Sequence, residues 1–277
     1  WFIFAALMKH LSFLLLCLFT LHGMAQSTKS KKTKVQYYFL WGYNRGFFTH
    51  STIHFKGNDY SFDLKSVHAQ DRQSPFNVKT YFNFSSISIP QYNFSIGALL
   101  PNHWNISIGQ DHMKYVVEEY SQTTINGSIH NGTEFDGNYL HQPIQITPDF
   151  LQFEHTNGLN YVHFSAQKEK SLYQFPKKRV AFKVLAGGNF GLLIPKSDVT
   201  LMHYNRNDQW HLAGYGIGLG LGIKAEFFKH IILRLDNKTG FINMTDVLTR
   251  GLSSNDRAKH HFGFTEFYYS IGFQHSI

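Results

Sequence analysis

Thiol chemistry is almost absent from this chain, because Cys17 is the only cysteine in 277 residues. It falls in a segment expected to be removed, which leaves a mature chain without disulfides, catalytic thiolates or cysteine-ligated metal. Charge is scarce as well: Asp, Glu, Lys and Arg make up 16% of the residues, against about a quarter in soluble domains. After residue 25 no apolar run approaches the roughly 20 residues that a spanning helix requires. The mean hydropathy is slightly negative, at -0.26. Aromatics, by contrast, reach 17%, with Phe and Tyr heavily used. Few charges, many aromatics and no spanning helix suit strands that are apolar on one face.

The formal charge of +8 suggests a polyanion partner until it is located. Lys29, Lys31, Lys32 and Lys34 lie together near the start, where a short basic tail reads as a solvated terminus. No nucleic-acid partner is expected. Just before it, Met8-Lys9-His10 leads into the apolar run Leu11–Phe19 and then Gly23-Met24-Ala25. This is the layout of a secretory signal peptide, with cleavage expected after Ala25. Residues 1–7 precede a plausible start methionine and are expected to be an artefact of the reading frame. Leu16 before Cys17 is too large for a lipoprotein signal. The chain therefore divides into a leader (1–25), a basic tail facing the periplasm (26–35) and one folded region (36–277).

Within that region the dominant signal is a period of two. Gly214, Gly216, Gly218, Gly220 and Gly222 alternate with Tyr215, Ile217, Leu219, Leu221 and Ile223. One strand face is apolar and the other carries no side chains. A nucleotide-binding glycine loop would have to open a helix, and this run never leaves the strand period. Phe267, Tyr269, Ile271 and Phe273 likewise oppose Glu266, Tyr268, Ser270 and Gln274. Strands are expected near 36–48, 80–100, 104–118, 149–167, 179–194, 209–226, 230–244 and 261–277. Short connections alternate with long polar ones near 49–79, 119–148, 195–208 and 245–260. The first long connection could hold a hairpin of its own, with strand-like residues near 52–56 and 60–67. Thr156-Asn157-Gly158 could be another hairpin turn, which would raise the count to 10–12.

The inference is an all-β, closed, antiparallel, up-and-down transmembrane barrel of about eight strands. A lumen of that size is filled by side chains or holds one small ligand. Lys183, Lys224, Glu226, Arg234, Asp236, Lys238 and Glu266 fall on its inner face and are expected to form an ion-pair network plugging it.

Two clusters could carry hydrolytic chemistry, Asp111-His112 and Glu154-His155-Thr156. Neighbours in a strand point to opposite faces, so Asp111 would have to meet His155 or Thr156 across strands. His50, His54, His260 and His261 lack metal-ligand spacing. No metal and no cofactor are expected.

Leader, alternation and loop asymmetry together resemble the small outer-membrane β-barrels of the OmpA/OmpX-like superfamily of Gram-negative bacteria. In that family the aromatic-rich last strand is read by the barrel-assembly machinery; here it ends in Ile277, where the family most often has Phe. The segment His155-Thr156-Asn157-Gly158-Leu159 resembles the histidine-serine-asparagine motif of outer-membrane lipid A deacylases, with Thr in place of the Ser nucleophile. The resemblance implies an outer-membrane location among lipid and lipopolysaccharide. It further implies a non-enzymatic barrel whose outer loops bind a ligand or a protein partner. The alternatives are a lipid A deacylase-like hydrolase and a conduit for small solutes or protons.

Overall fold

The computed structural model describes residues 35–83, 85–175 and 179–276. The expected leader (1–25, including 1–7), nearly all of the basic tail and Ile277 lie outside the described residues.

Eight strands close on themselves. They are β1 (Gln36–Phe48), β5 (Tyr92–Leu99), β6 (Trp104–Asp111), β11 (Tyr161–Gln174), β12 (Val180–Leu193), β15 (Gly214–Phe227), β16 (Ile231–Leu248) and β17 (Arg257–Ser276). Each is antiparallel to its neighbours, and β1 pairs with β17 from Gln36↔Ser276 to Phe48↔Phe264, which seals the cylinder. Closure removes every free sheet edge from the barrel wall. The alternation explains the wall: Ile217, Leu219, Leu235, Phe267, Tyr269 and Ile271 are exposed on the outside. Lys224, Glu226, Arg234, Asp236 and Lys238 are buried inside.

Glycine recurs on the inner face where neighbouring strands come close. A Cβ at Gly187 would sit 2.0 Å from the carbonyl oxygen of Ala166 on β11. The Gly187→Val variant should therefore lose about 2–3 kcal/mol through overpacking. The loss would be read as a lower temperature for conversion to the heat-modified electrophoretic form. An unchanged transition would show that the strand yields at this point.

Three connections at the end carrying Gln36 and Ser276 are short: residues 100–103, 175–179 and 228–230. The strand β11 runs on to Gln174, past the end near 167 expected from the sequence, and the connection to β12 is correspondingly short. The other end is where expectation and structure part. Three of the four long connections expected there as polar loops, 49–79, 119–148 and 195–208, contain strands, and together with residues 116–117, 151–154 and 207–210 they give nine further strands. β2 (Ser51–Lys56), β3 (Tyr60–Val67), β8 (Gln122–Ile129) and β9 (Gly137–Gln145) extend the barrel sheet outward from the distal part of β17. A second sheet has the order β14 (Asn207–Trp210), β13 (Lys196–Leu201), β10 (Leu151–Glu154), β7 (Val116–Val117), β4 (Ala69–Gln70).

The reason lies in their side chains. Ile53, Phe55, Phe62, Leu64, Ile125, Phe153 and Val199 are all buried in one cluster. The two sheets meet through ring contacts such as Phe55 with Phe153 at 5.9 Å and Phe62 with Phe150 at 5.9 Å. The result is a two-layer cap on the barrel. The hairpin near 52–56 and 60–67 is present as β2 and β3, paired from Lys56↔Ser61 to Ser51↔Val67. Four strand expectations are shortened, the one near 104–118 dividing between barrel strand β6 and cap strand β7. The described residues among 80–91 are not strand, and α1 (Val78–Tyr81) is a single helical turn. Residues 149–167 divide between cap strand β10 and barrel strand β11, joined through Thr156-Asn157-Gly158 without hairpin pairing. Residues 209–226 divide likewise between β14 and β15.

Candidate functional site

β11 orders the lumen. Its inward residues Glu169, Gln167, Ser165, His163 and Tyr161 climb from the termini end toward the cap, and each meets a different partner.

At the lowest level Lys183 Nζ lies 2.8 Å from Glu169 Oε1 and 2.9 Å from Glu226 Oε2. Lys224 Nζ reaches the other Glu169 oxygen at 2.9 Å and also donates to Gln274 Oε1 at 3.3 Å. Above it Arg234 pairs with Asp236 at 2.5 Å and donates to Gln167 Oε1 at 3.1 Å. Higher still Lys238 pairs with Asp111, whose Oδ2 is 3.2 Å from His163 Nε2, while Glu266 lies 3.9 Å from the ammonium. Four cations and five carboxylates thus occupy one buried column. Charges out of bulk water persist when they are paired in this way. Over the column sit Tyr161, Phe264, Phe262 and Tyr115, part of the cap core, with Tyr161 and Phe264 rings 6.0 Å apart.

All seven charged residues read from the sequence as lumenal lie in this column. Glu169, Asp111 and His163 complete it. The run Tyr161-Val162-His163-Phe164-Ser165-Ala166-Gln167 alternates as the other strands do and was the available signal for His163. Glu169 lies just past the expected end of that strand.

The four residues weighed as catalytic do not converge. Asp111 is inside the lumen with Lys238 and His163. His112 faces elsewhere, its Nδ1 2.9 Å from Asn160 Oδ1 and its ring stacked on Tyr92 at 4.8 Å. Thr156 donates its hydroxyl proton to Glu154 Oε1 at 2.9 Å. His155 is fully buried in the cap core. A different hydroxyl–imidazole–carboxylate set does line up: Ser165 Oγ lies 3.1 Å from His163 Nδ1, and His163 Nε2 faces Asp111. Lys238 Nζ shares that same Nε2 at 3.1 Å. The adjoining cavity of about 20 Å³ has room for about one water, so an acyl ester cannot reach the hydroxyl.

His155 finds its true neighbour in His260, at the distal part of β17 that pairs with β2 beyond the barrel wall. The two rings are 6.1 Å apart. Tyr115 lies 5.8 Å from one and 5.4 Å from the other, and Phe153 5.2 Å and 5.5 Å. All four ring nitrogens lack a hydrogen-bond partner among the described residues. The Tyr115 hydroxyl shares its bond with Ser51 Oγ at 3.0 Å. Burial pushes His155 down to about 3, and burial next to His155 and His261 puts His260 well below the ordinary histidine range. Both imidazoles are therefore neutral at pH 7.

A closed eight-stranded barrel with an apolar outer wall and a paired polar interior is a transmembrane barrel of the outer-membrane type. The wall offers side chains to lipid while the antiparallel ladders pair the strand backbones with one another around the cylinder. No protein-family model matches the chain, and no curated protein matches it in sequence. Among solved structures it is similar to Ail, the attachment invasion locus protein of Yersinia pestis, in complex with the heparin analogue sucrose octasulfate. That match has 7% identity and a TM-score of 0.33, and covers 88% of this chain and 100% of that one. It is also similar to the outer membrane protein OprG of Pseudomonas aeruginosa, with 8% identity, a TM-score of 0.36 and 91% and 100% covered. A third is the outer membrane protein AlkL, with 8% identity, a TM-score of 0.37 and 92% and 97% covered. These likenesses concern the fold, so the role of this barrel has to come from its own residues.

Proposed function

We propose that the chain is a sealed anchor in the outer membrane of a Gram-negative bacterium, holding a folded β-cap outside the cell to bind a partner or surface ligand. The observation that carries this reading is the continuity of the fill. The ion-pair column passes directly into the aromatic core of the cap, so the barrel offers neither an aqueous path nor a reachable nucleophile. Orientation follows from the connections: outer-membrane barrels keep short turns in the periplasm and place long insertions outside. Both described chain ends then face the periplasm, consistent with export by a cleaved leader and insertion by the barrel-assembly machinery. Rigid scaffolds carry their binding surfaces on such insertions. Here the insertions are themselves packed, which lowers the ordering cost of binding.

Two measurements test the reading. Reconstituted in planar bilayers, the protein should add no steps to the baseline conductance; stable open steps would favour the conduit instead. Lipid A from cells expressing it should have an unchanged acyl pattern, with wild type and His155→Ala indistinguishable by mass. Loss of an acyl chain with the wild type alone would favour a hydrolase.

A further inference from the structure

Residues 71–91 leave the cap and run against the flank of β1. Asn44 N donates to Gln91 O at 3.1 Å and Gly46 N to Asp71 Oδ2 at 3.1 Å. Tyr43 bonds through its hydroxyl to the Tyr81 carbonyl, and the two rings meet edge to face at 4.8 Å. Tyr43 belongs to the outward row of β1 that includes Tyr37, Phe39, Arg45 and Phe47. The helical turn α1 therefore stands on the outer wall of the barrel, level with its apolar belt.

Two observations there are unexplained by a loop in water. Phe76, Val78, Phe82 and Ile89 are between 55% and 71% exposed, all within this one segment. Each would gain about 1.5–3 kcal/mol from full burial, and acyl chains beside the belt supply an apolar surrounding. Arg45, in turn, projects from the lipid-facing row toward the groove, where it acts on Asp71 through space without a direct salt bridge among the described residues. A guanidinium in that row is tolerated near the interface, where its cost falls to about 0–1 kcal/mol and an anion can meet it.

Between this segment and the wall lies a groove of about 570 Å³, lined by Arg45, Arg72, Tyr43, Tyr81, Phe76 and Tyr269 among others. Arg72 is bonded to Glu154 at 2.6 Å but keeps half its side chain exposed. Asp71 also lines the groove; its Oδ2 is engaged by the Gly46 amide, and its carboxylate faces the charge of Arg45.

We infer that this groove binds the phosphorylated head of an outer-leaflet glycolipid, the lipid A part of lipopolysaccharide, and this rests on the orientation given above. Arg45 and Arg72 donate to a phosphate, the geometry in which guanidinium binds most strongly. Phe76, Val78, Phe82 and Ile89 lie among the acyl chains. The ligand is thus a phosphate monoester attached to a lipid.

The test is native mass spectrometry of the full chain in detergent micelles carrying bis-phosphorylated lipid A, dephosphorylated lipid A, phosphatidylglycerol or inorganic phosphate. The wild type should retain one bis-phosphorylated lipid A, with at least about tenfold weaker retention of the dephosphorylated form. Arg45→Gln should lose a similar factor and Arg45→Lys less. Equal retention of both lipid A forms by the wild type overturns the inference, as does full displacement by inorganic phosphate, which would mark a free-anion site. The comparison of lipids on the wild type decides the matter even if Arg45→Gln fails to fold. Labelling of the cap in intact cells separates the two readings. A cap that is labelled but does not discriminate phosphates defeats the lipid site alone, and an unlabelled cap defeats the orientation.

Discussion

Acidification from pH 7 to pH 5 is expected to cost the cap about 2 kcal/mol through His155, with His260 adding to the loss in the same direction. In the unfolded chain both titrate near the ordinary value of about 6.5. In the folded cap burial holds His155 at about 3 and His260 well below the ordinary range. The folded values are depressed, so the unfolded state binds more protons below pH 6.5, and stability falls as the pH falls. The contribution is intact above about 6.5 and declines by about 1.4 kcal/mol per pH unit for each ring on the way toward the folded values. No carboxylate among the described residues offsets this. Ser51, Tyr115, Phe153 and Phe262 surround the pair, and the nearby His261 disfavours protonation further.

Hydrogen exchange of the β10 and distal β17 amides, corrected for intrinsic rates, should show protection lost between pH 6.5 and 5. The double variant His155→Phe, His260→Phe should exchange without that slope. If the slope survives in the double variant, other groups cause it and the assignment is wrong.

The second large effect is expected at Lys238. Replacing it by Met removes the cation shared by Asp111 and Glu266 while both carboxylates stay buried. Breaking a buried pair from one side costs about 3–5 kcal/mol, whereas removing both sides is often neutral. Lys238→Met should therefore lower the unfolding free energy of the barrel in lipid vesicles, extrapolated from urea titration, by that amount. Adding Asp111→Asn and Glu266→Gln should recover most of it. A loss below about 1 kcal/mol for the single variant would mean that the column fills space without holding the barrel together.

The barrel was legible because each of its strands meets lipid on one side and packed polar groups on the other. β15, with glycine at every inward position from Gly214 to Gly222, is the clearest case. The cap was hidden for the opposite reason. Its strands are short, only two residues in β4 and β7, and a pattern that brief is indistinguishable from coil. Its second sheet also joins segments far apart in the chain, as where β10 pairs with β13 through Leu151↔Leu201, and no local signal marks such partners. Residues 80–91 read as strand because Tyr81, Phe82, Ile87 and Ile89 are apolar; Tyr81 covers the barrel flank, and Phe82 and Ile89 are exposed. In the lumen the sign and face of seven inward charges were readable from period two, while the place of Glu169 and Asp111 there, and the pairing of Lys238 with Asp111, 127 residues apart, needed the closed cylinder. His155 drew notice as a motif residue. Its isolation from every polar group could be seen only in three dimensions.

One strand belongs to both halves of the molecule. β17 pairs with β1 through Phe264–Ser276 and with β2 through Arg257–His260. It is also the last strand in chain order among those described. The same zippering event that shuts the cylinder therefore supplies the template on which the outer sheet grows. A barrel caught with its seam open would display no finished cap, so any molecule that recognises the cap inspects completed insertion at the same time.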